Sequence, residues 1–435
     1  MLRRRDTSNE SVSLQTTGSR SCIPQAKHVD PSSFSRPRIA PRVLVALALG
    51  IVAAATLVPI SHGIGGDDIP FWCLGCGDYA LADAAANVAL FVPLGWALAR
   101  TGGPFLTGLA VVLTTTIAVE SLQHAVIPGR VASVADILAN TLGGIVGLVL
   151  PRIHRWVVEA HQRAAGASIV YGVLLIVWFG AGAATQAVLS PRTLYWTRGE
   201  ADGAPYVPFT GFMRDVRVDG ASIALDQWLE IPPGRGRDIA VELTSGRPDT
   251  GLAHIVIAWM PTRQGWMWLE QRDDDLHVHF ASGSDGARLR GHSLWLRHVM
   301  PAAAGVPVRI QLAVEPWRYR IELFASAGYV VREGRIGVGD GWRLLMPGQR
   351  EWGPWAWLLT AGWMAALLGP LGYLASRRSR AAVAVAAVGA TGTLVLLPVL
   401  TGCARLSLAG WCGAAAGFLI GSLSRGRSES VVRLP

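Results

Sequence analysis

Polar side chains capable of acid–base chemistry interrupt an apolar stretch between residues 83 and 147. They are Asp83, Asn87, Glu120, Gln123, Arg130, Asp136 and Asn140. Because ionisable groups are costly in hydrocarbon, they tend to face the interior of a helix bundle and mark a function. An Asp/Glu pair can serve as general acid and base, and an arginine can hold a phosphate. The pattern predicts a polar binding or catalytic pocket, with a charge network that only holds helices together as the structural alternative.

The hydrophobic residues are arranged in blocks of membrane-spanning length. Of the 435 residues, 51% are hydrophobic and 16% are charged, whereas about a quarter of a soluble domain is charged. An apolar helix needs about 20 residues to cross the hydrocarbon. The sequence predicts eight spans, at about residues 43–60, 82–99, 105–122, 133–150, 167–189, 352–373, 381–400 and 404–423. We therefore expect a polytopic α-helical membrane protein.

Basic residues indicate how the chain crosses the membrane. The net charge is +9, but the arginines cluster at the ends of apolar blocks, which is typical of topology signals rather than of a nucleic-acid surface. We expect both termini in the cytoplasm and no nucleic-acid partner. The predicted segments are a disordered cytoplasmic tail (1–41), a five-helix transmembrane domain (42–190), an extracytoplasmic domain (191–350), a three-helix transmembrane region (351–424) and a cytoplasmic tail (425–435).

Helical spacing places the polar residues on shared faces. The pairs three or four residues apart are Asp83 with Asn87, Glu120 with Gln123, and Asp136 with Asn140. Residues at these spacings lie on one face of a helix. All three faces begin near the predicted outer leaflet, where Arg130 can pair with Glu120 or Asp136, since an unpaired buried charge is expensive. Gly143 and Gly147 allow close helix approach.

Residues 191–350 have the pattern of an inserted all-β domain. Short stretches alternate apolar and polar residues, and turn signals such as Ser282–Gly286 separate them. The predicted strands include Ile239–Leu243, Ala253–Trp259, Leu276–Phe280, His292–Arg297, Val308–Val314 and Tyr319–Phe324. Many short strands with regular turns indicate a β sandwich or jelly roll.

Some residues of this β domain have ligand-binding chemistry, and a structural role is favoured for each. Asp273–Asp275 is expected in a solvated turn rather than a calcium site. His277 and His279 are expected at solvent-facing strand positions rather than in a metal site. The tryptophans expected in the core rather than stacked on sugars are Trp259, Trp266 and Trp268. We predict no metal and no cofactor.

Cys73 and Cys76 form a close cysteine pair in the predicted outer loop. Thiols oxidise outside the cytoplasm, and the sequence has no second close pair to complete a zinc site. We expect a local disulfide, with free thiols and then a redox motif as the alternatives.

Four polar motifs in three consecutive spans carry a family resemblance. They are Asn87-Val-Ala-Leu-Phe91-Val-Pro93-Leu-Gly95, Glu120-Ser-Leu-Gln123, Pro128-Gly129-Arg130 and Asp136-Ile-Leu-Ala-Asn140-Thr-Leu-Gly143. In this order and spacing they resemble the VanZ-like membrane family over about residues 43–151. The resemblance implies a cell-envelope protein with a link to resistance against teicoplanin-type glycopeptides. In the β domain, Phe209–Val218 and the last two predicted strands are similar to concanavalin A-like and laminin G-like jelly rolls, which implies glycan or protein binding.

These observations lead to one main hypothesis and two alternatives. The main hypothesis is a VanZ-like protein of the cell envelope whose polar pocket accepts a membrane lipid or a lipid-linked envelope precursor, while the β domain engages a surface glycan or protein. The first alternative is a membrane-embedded enzyme that uses Glu120 and Asp136 as acid and base, although the sequence contains no recognised catalytic motif. The second is a structural scaffold without a ligand.

Overall fold

A computed structural model shows apolar helices together with a separate β domain. The structure describes residues 40–57, 70–75, 77, 79–127, 132–159, 161–199, 206–232, 236–249, 251–326, 328–346 and 355–424. The two predicted cytoplasmic tails lie outside the described residues, apart from residues 40 and 41.

The helices of the described residues agree with the predicted apolar blocks. They are α1 (Pro41–Thr56), α2 (Ala80–Arg100), α3 (Phe105–Ala125), α4 (Val134–Glu159), α5 (His161–Gln186), the single-turn α6 (Gly283–Gly286), α7 (Trp355–Ser376), α8 (Arg380–Thr401) and α9 (Leu408–Leu423). Six of them, α2 to α5 with α7 and α8, are long and apolar enough to cross a membrane. This confirms a multi-pass membrane protein. As described, α1 and α9 have 16 residues each and are shorter than the spans predicted for them.

The region between α5 and α7 forms two six-stranded antiparallel sheets, which confirms the inserted all-β domain. In spatial order, the first sheet contains β4 (Gln227–Glu230), β1 (Thr193–Arg198), β6 (Ala253–Trp259), β7 (Gly265–Arg272), β8 (Asp275–Phe280) and β9 (His292–Leu296). The second contains β12 (Gly328–Arg335), β11 (Arg318–Ala325), β10 (Pro307–Glu315), β5 (Arg237–Thr244), β2 (Phe212–Val218) and β3 (Ala221–Ser222). A 3-10 helix, Val338–Leu344, follows β12.

Alternating side chains explain the six strands that the sequence predicts and one of the six that it misses. The inward residues of β5 and β10 are paired directly and all are buried: Ile239 with Leu312, Val241 with Ile310, and Leu243 with Val308. Such cross-strand pairs are the unit of sheet stabilisation. All six predicted strands form. β7 was not predicted, because it is buried on both faces and its sequence lacks an alternating pattern.

Glycines set the distance between α2 and α4. A Cβ atom on Gly143 or Gly147 would overlap a backbone carbonyl of α2, and one on Gly95 would overlap the carbonyl of Gly144. Only glycine permits such an approach, as the Gly143-x-x-x-Gly147 spacing predicted. The backbones of α2 and α4 are therefore in direct contact.

A second glycine seam joins α7 and α9, and its contacts repeat those of the first. The contact of Gly95 with Gly144 corresponds to that of Gly372 with Phe418. In the same way, Gly143 with Val88 corresponds to Gly417 with Ala365, and Gly147 with Val92 corresponds to Gly421 with Gly369. The sequences around the first helix of each seam agree as well. Ala89–Arg100 reads ALFVPLGWALAR and Ala366–Arg377 reads ALLGPLGYLASR, so that the Pro-Leu-Gly triplet falls at the same place.

The repeated seam divides the helices into two copies of one four-helix arrangement. In the first copy, α1 packs on α2 and α3; in the second, α5 packs on α7 and α8. The β sandwich is inserted between the first and second helices of the second copy. The first copy has the segment of residues 57–79 at this position.

Replacing Gly95 by alanine tests the seam. We expect Gly95→Ala to destabilise the protein by about 1–3 kcal/mol, the usual cost of overpacking, because the added methyl group meets backbone rather than a side chain that can turn away. The measurement is thermal unfolding of the detergent-purified chain. Gly389→Ala on α8 is the matched control, since nothing lies within 4 Å of that position. Equal unfolding temperatures for the two variants would contradict the seam.

Candidate functional site

A polar cluster joins α2, α3 and α4 at one end of the helices. The backbone N–H of Ser133 donates to Glu120 Oε2 at 3.1 Å, and the Ser133 hydroxyl donates to Asp136 Oδ2 at 2.8 Å. The side-chain amide of Asn87 donates to the other carboxylate oxygen of Asp136. Glu120 is only 5% exposed. We call Asn87, Glu120, Ser133 and Asp136 the polar cluster; one serine connects its two carboxylates.

The start of α4 explains how the polar cluster forms. The Ser133 hydroxyl accepts a hydrogen bond from the N–H of Asp136 at 3.1 Å, and the Ser133 carbonyl accepts one from Ile137. This is the geometry of a helix N-cap. In a Ser-x-x-Asp capping box the acidic side chain returns to the serine N–H. Here that N–H donates to Glu120 of α3 instead, so the Asp136 carboxylate remains oriented toward Asn87 and the Ser133 hydroxyl.

Gln123 and Asn140 lie outside the polar cluster and connect helices elsewhere. The Gln123 amide donates to the Thr56 carbonyl of α1 at 2.9 Å. The Asn140 amide donates to the Thr116 hydroxyl of α3 at 3.0 Å, and Asn140 is 1% exposed. Since an unsatisfied amide is costly in hydrocarbon, these bonds hold α1, α3 and α4 in fixed positions. The described residues of the predicted pocket are therefore distributed over several separate contacts.

Asp83 contacts the β domain. Its carboxylate pairs with the guanidinium of Arg290 at 2.6 Å, and this guanidinium also lies over the Tyr79 ring, 4.8 Å from its centroid. The side chain of the neighbouring Arg288 donates to the carbonyl of Gly75, and the backbone carbonyl of Arg288 accepts a hydrogen bond from the N–H of Ala82. The segment after α6 is thus docked on the start of α2, one helical turn from Asn87. Asp83 therefore links the sandwich to the helix that supplies Asn87.

Two predictions concern residues that the structure leaves out. Arg130 lies outside the described residues, so its predicted pairing with Glu120 or Asp136 stays a prediction. Cys73 is disulfide-bonded, but its predicted partner Cys76 also lies outside the described residues. The local pairing of these two cysteines therefore remains an expectation.

The expectation that two strand histidines face solvent is wrong. His277 stacks on Trp295 with centroids 4.4 Å apart, and His279, 1% exposed, stacks on Trp268 at 4.3 Å. The alternating pattern places both histidines on the outer face of the first sheet, but aromatic side chains cover that face. The sequence pattern reports the face of a strand and not what covers it.

A buried carboxylate accompanies these histidines. Glu270 lies between His254 and His277, and its two oxygens contact the Nδ1 atoms of the two imidazoles. Burial raises the pKa of Glu270, but the neighbouring imidazoles outweigh that effect and lower it to about 2. Glu270 is therefore ionised at neutral pH and is compensated by protein donors. Sequence reasoning missed this residue, because β7 has no alternating pattern.

The other structural expectations for the β domain have mixed outcomes. Trp266 is 1% exposed and lies in the core, as predicted. The Asp273–Asp275 segment does form the turn between β7 and β8, but Asp275 is buried and pairs with Arg297. Within the described residues, ligand atoms of Asp274, Asp275 and His298 lie within 4.8 Å of one another, close enough to share a cation. Because Arg297 already pairs with Asp275, that carboxylate is compensated by a protein cation.

Comparison with known families identifies the helical region that contains the polar cluster. Residues 45–155 match the family model described as VanZ/LLP1. This region covers most of α1 and nearly all of α4 with the helices between them, and it confirms the VanZ-like resemblance predicted for residues 43–151. Searches among curated proteins and among solved structures find no significant match to the chain.

A charge swap tests the contact between the sandwich and α2. Asp83→Arg or Arg290→Asp alone should speed amide hydrogen exchange of residues 287–291, and the double variant should restore slow exchange because the pair is reformed. The expected acceleration is roughly 1.4- to fivefold, since a partly exposed ion pair contributes about 0.2–1 kcal/mol. Arg309→Asp, an exposed arginine on β10, is the control and should leave this segment unchanged. A double variant that exchanges as fast as the single variants would contradict the pairing.

Proposed function

We propose that this VanZ-like membrane protein binds a lipid-linked molecule of the cell envelope at the polar cluster. The observation that carries the proposal is the buried Glu120 carboxylate joined through Ser133 to the Asp136 carboxylate. Carboxylates accept hydrogen bonds from the hydroxyl, amide and amine groups of a glycan or peptide headgroup. A lipid-linked molecule has a polar headgroup and an apolar tail, which would fit a polar cluster at the end of apolar helices.

The position of the polar cluster beside the sandwich supports this proposal. A series of polar contacts runs from Arg290 of the β domain to Asp83, and Asn87 on the next turn of α2 contacts Asp136. A ligand at the cluster would therefore lie beside the docked segment of the β domain. In the order of the chain, Arg130 comes after Glu120 and before Asp136, and arginine is a residue type suited to a phosphate. We place this end of the helices at the outer leaflet and link the protein to teicoplanin-type resistance as parts of the same proposal.

Neutralising the carboxylates tests the proposal. Glu120→Gln and Asp136→Asn keep the size of each side chain, and we expect each to weaken binding of a labelled polyprenyl-linked envelope intermediate at least tenfold, or about 1.4 kcal/mol. The measurement is titration of the full-length chain in lipid nanodiscs. Thr393→Val on α8 is the control, since its hydroxyl bonds only to the carbonyl of Gly389 on its own helix.

Each alternative gives a different result in that experiment. Folded Glu120→Gln and Asp136→Asn proteins that bind like the wild type would leave the polar cluster as a structural network in a scaffold. Conversion of the intermediate to a new product by the wild type and not by Glu120→Gln would assign the acid–base enzyme instead. Increased teicoplanin susceptibility of cells that carry Glu120→Gln would support the resistance link.

The sandwich supplies the second binding element of the proposal, for a surface glycan. Tyr195 and Trp228 pair at 5.3 Å on β1 and the edge strand β4, and Trp228 is 53% exposed. Exposed aromatic faces of this kind can stack on sugar rings. Trp228→Ala should abolish retention of the full-length protein on immobilised envelope glycans. Tyr329→Ala, a similarly exposed aromatic on the edge strand β12, should not; equal behaviour of the two variants would contradict this assignment.

A further inference from the structure

A large crevice lies where the sandwich meets the helices of the second copy. Its volume is about 1260 Å³. The walls come from the turn between β10 and β11, the 3-10 helix, the first turns of α7, the end of α8 and the residues that lead into α9. α7 and α9 begin here and α8 ends here, so the crevice lies at the membrane surface on the side of the sandwich.

The charged residues of the crevice favour an anion. Its walls contain four arginines and two carboxylates: Arg318, Arg335, Arg343 and Arg405, with Glu315 and Asp340. Asp340 is already used by the protein, because it accepts the N–H of Gly337 at 3.0 Å and lies 3.5 Å from Arg343. The charge balance of the walls is therefore positive.

Two of these arginines are held side by side. Arg318 and Arg335 are direct cross-strand partners on β11 and β12. Like charges at opposed positions destabilise an antiparallel pair, and Glu333, 3.9 Å from Arg318, offsets only part of that repulsion. A phosphate between the two guanidinium groups would remove it, because arginine binds phosphate through a planar array of donors.

The crevice occupies the position in the second copy that corresponds to the polar cluster in the first. Ser407 on its wall caps α9 as Ser133 caps α4, and its hydroxyl accepts the N–H of Gly410 at 3.2 Å. Thr360, also on its wall, is the residue of the second copy that corresponds to Asp83. The seam equivalence assigns apolar or small residues to the remaining positions: Met364 for Asn87, Gly410 for Asp136 and Ala414 for Asn140. The second copy thus lacks the polar residues at the positions of Asn87 and Asp136, and arginines lie at the same end of its helices.

Apolar side chains at the edge of the crevice formed by α7 and α8 indicate which kind of anion would bind there. Val399 and Leu400 line the crevice at the end of the apolar helix α8 and are 68% and 79% exposed, as side chains that contact lipid are. Trp357, 56% exposed on the first turn of α7, is placed where tryptophans contact lipid headgroups. A ligand here meets arginines on one side and lipid-facing side chains on the other. We propose that the crevice binds the phosphate headgroup of an anionic membrane lipid, separately from the ligand of the polar cluster.

Lipid titration of the full-length chain tests the proposal. Purified protein in neutral detergent is titrated with phosphatidylglycerol or phosphatidylcholine, and bound lipid is counted by native mass spectrometry. We expect phosphatidylglycerol to bind at least tenfold more tightly than phosphatidylcholine to the wild type. The double variant Arg335→Gln/Arg405→Gln should lose that preference, because two exposed positive charges of the crevice are removed while the fold is kept.

A charge-matched control and a competitor define the outcomes. Arg309→Gln/Arg332→Gln removes two exposed arginines of the sandwich outside the crevice and should keep the preference for phosphatidylglycerol. Equal loss in both double variants, or no loss in the crevice variant, would overturn the site. Inorganic phosphate at millimolar concentration should compete poorly, since it lacks the acyl chains. Competition as strong as that of phosphatidylglycerol would show a free-phosphate site and overturn the lipid assignment.

Discussion

Direct backbone contact between α2 and α4 is the constraint on which the rest of the helical region depends. The contact exists because Gly95, Gly143 and Gly147 have no side chain to hold the helices apart. It brings Asn87 against Asp136, and it fixes the start of α4 so that Ser133 reaches Glu120 on α3. In hydrocarbon, helix association relies on packing and interhelical hydrogen bonds rather than on the hydrophobic effect. The seam provides the packing and the polar cluster provides the bonds.

The same packing device is used twice, with different residues around it. Both copies keep the glycine contacts and a serine cap at the start of the last helix. In the first copy, carboxylates lie beside that cap. In the second copy, apolar or small residues stand at the equivalent helix positions, and arginines line the crevice around the cap. A sandwich inserted into the second copy reaches across to the first through Arg290 and Asp83. The protein thus combines one repeated packing geometry with two opposite electrostatic environments at the end of the helices nearest the sandwich.

The sequence predicts those features that depend on local patterns. Apolar block length predicts the helices, alternation predicts six strands, and spacing places Asn87, Glu120 and Asp136 on inward faces. The role of Ser133 was readable from Ser-x-x-Asp before an apolar run, and the copies were readable from the repeated Pro-Leu-Gly triplet. The separation of Asp83 from the polar cluster and the gathering of arginines in the crevice arise from tertiary contacts between distant segments, for which no local pattern exists.

Crosslinking in membranes tests the central claim, that the glycine seam brings α2 and α4 together at the polar cluster. Cysteines are placed at positions 87 and 136 of the full chain, treated with a short thiol-reactive crosslinker, and the linked peptides are identified by mass spectrometry. The seam predicts a crosslink between positions 87 and 136 and none between 87 and 124, since His124 is on the exposed side of α3. Reactive cysteines at 87 and 136 that give no crosslink in the folded protein would contradict the account.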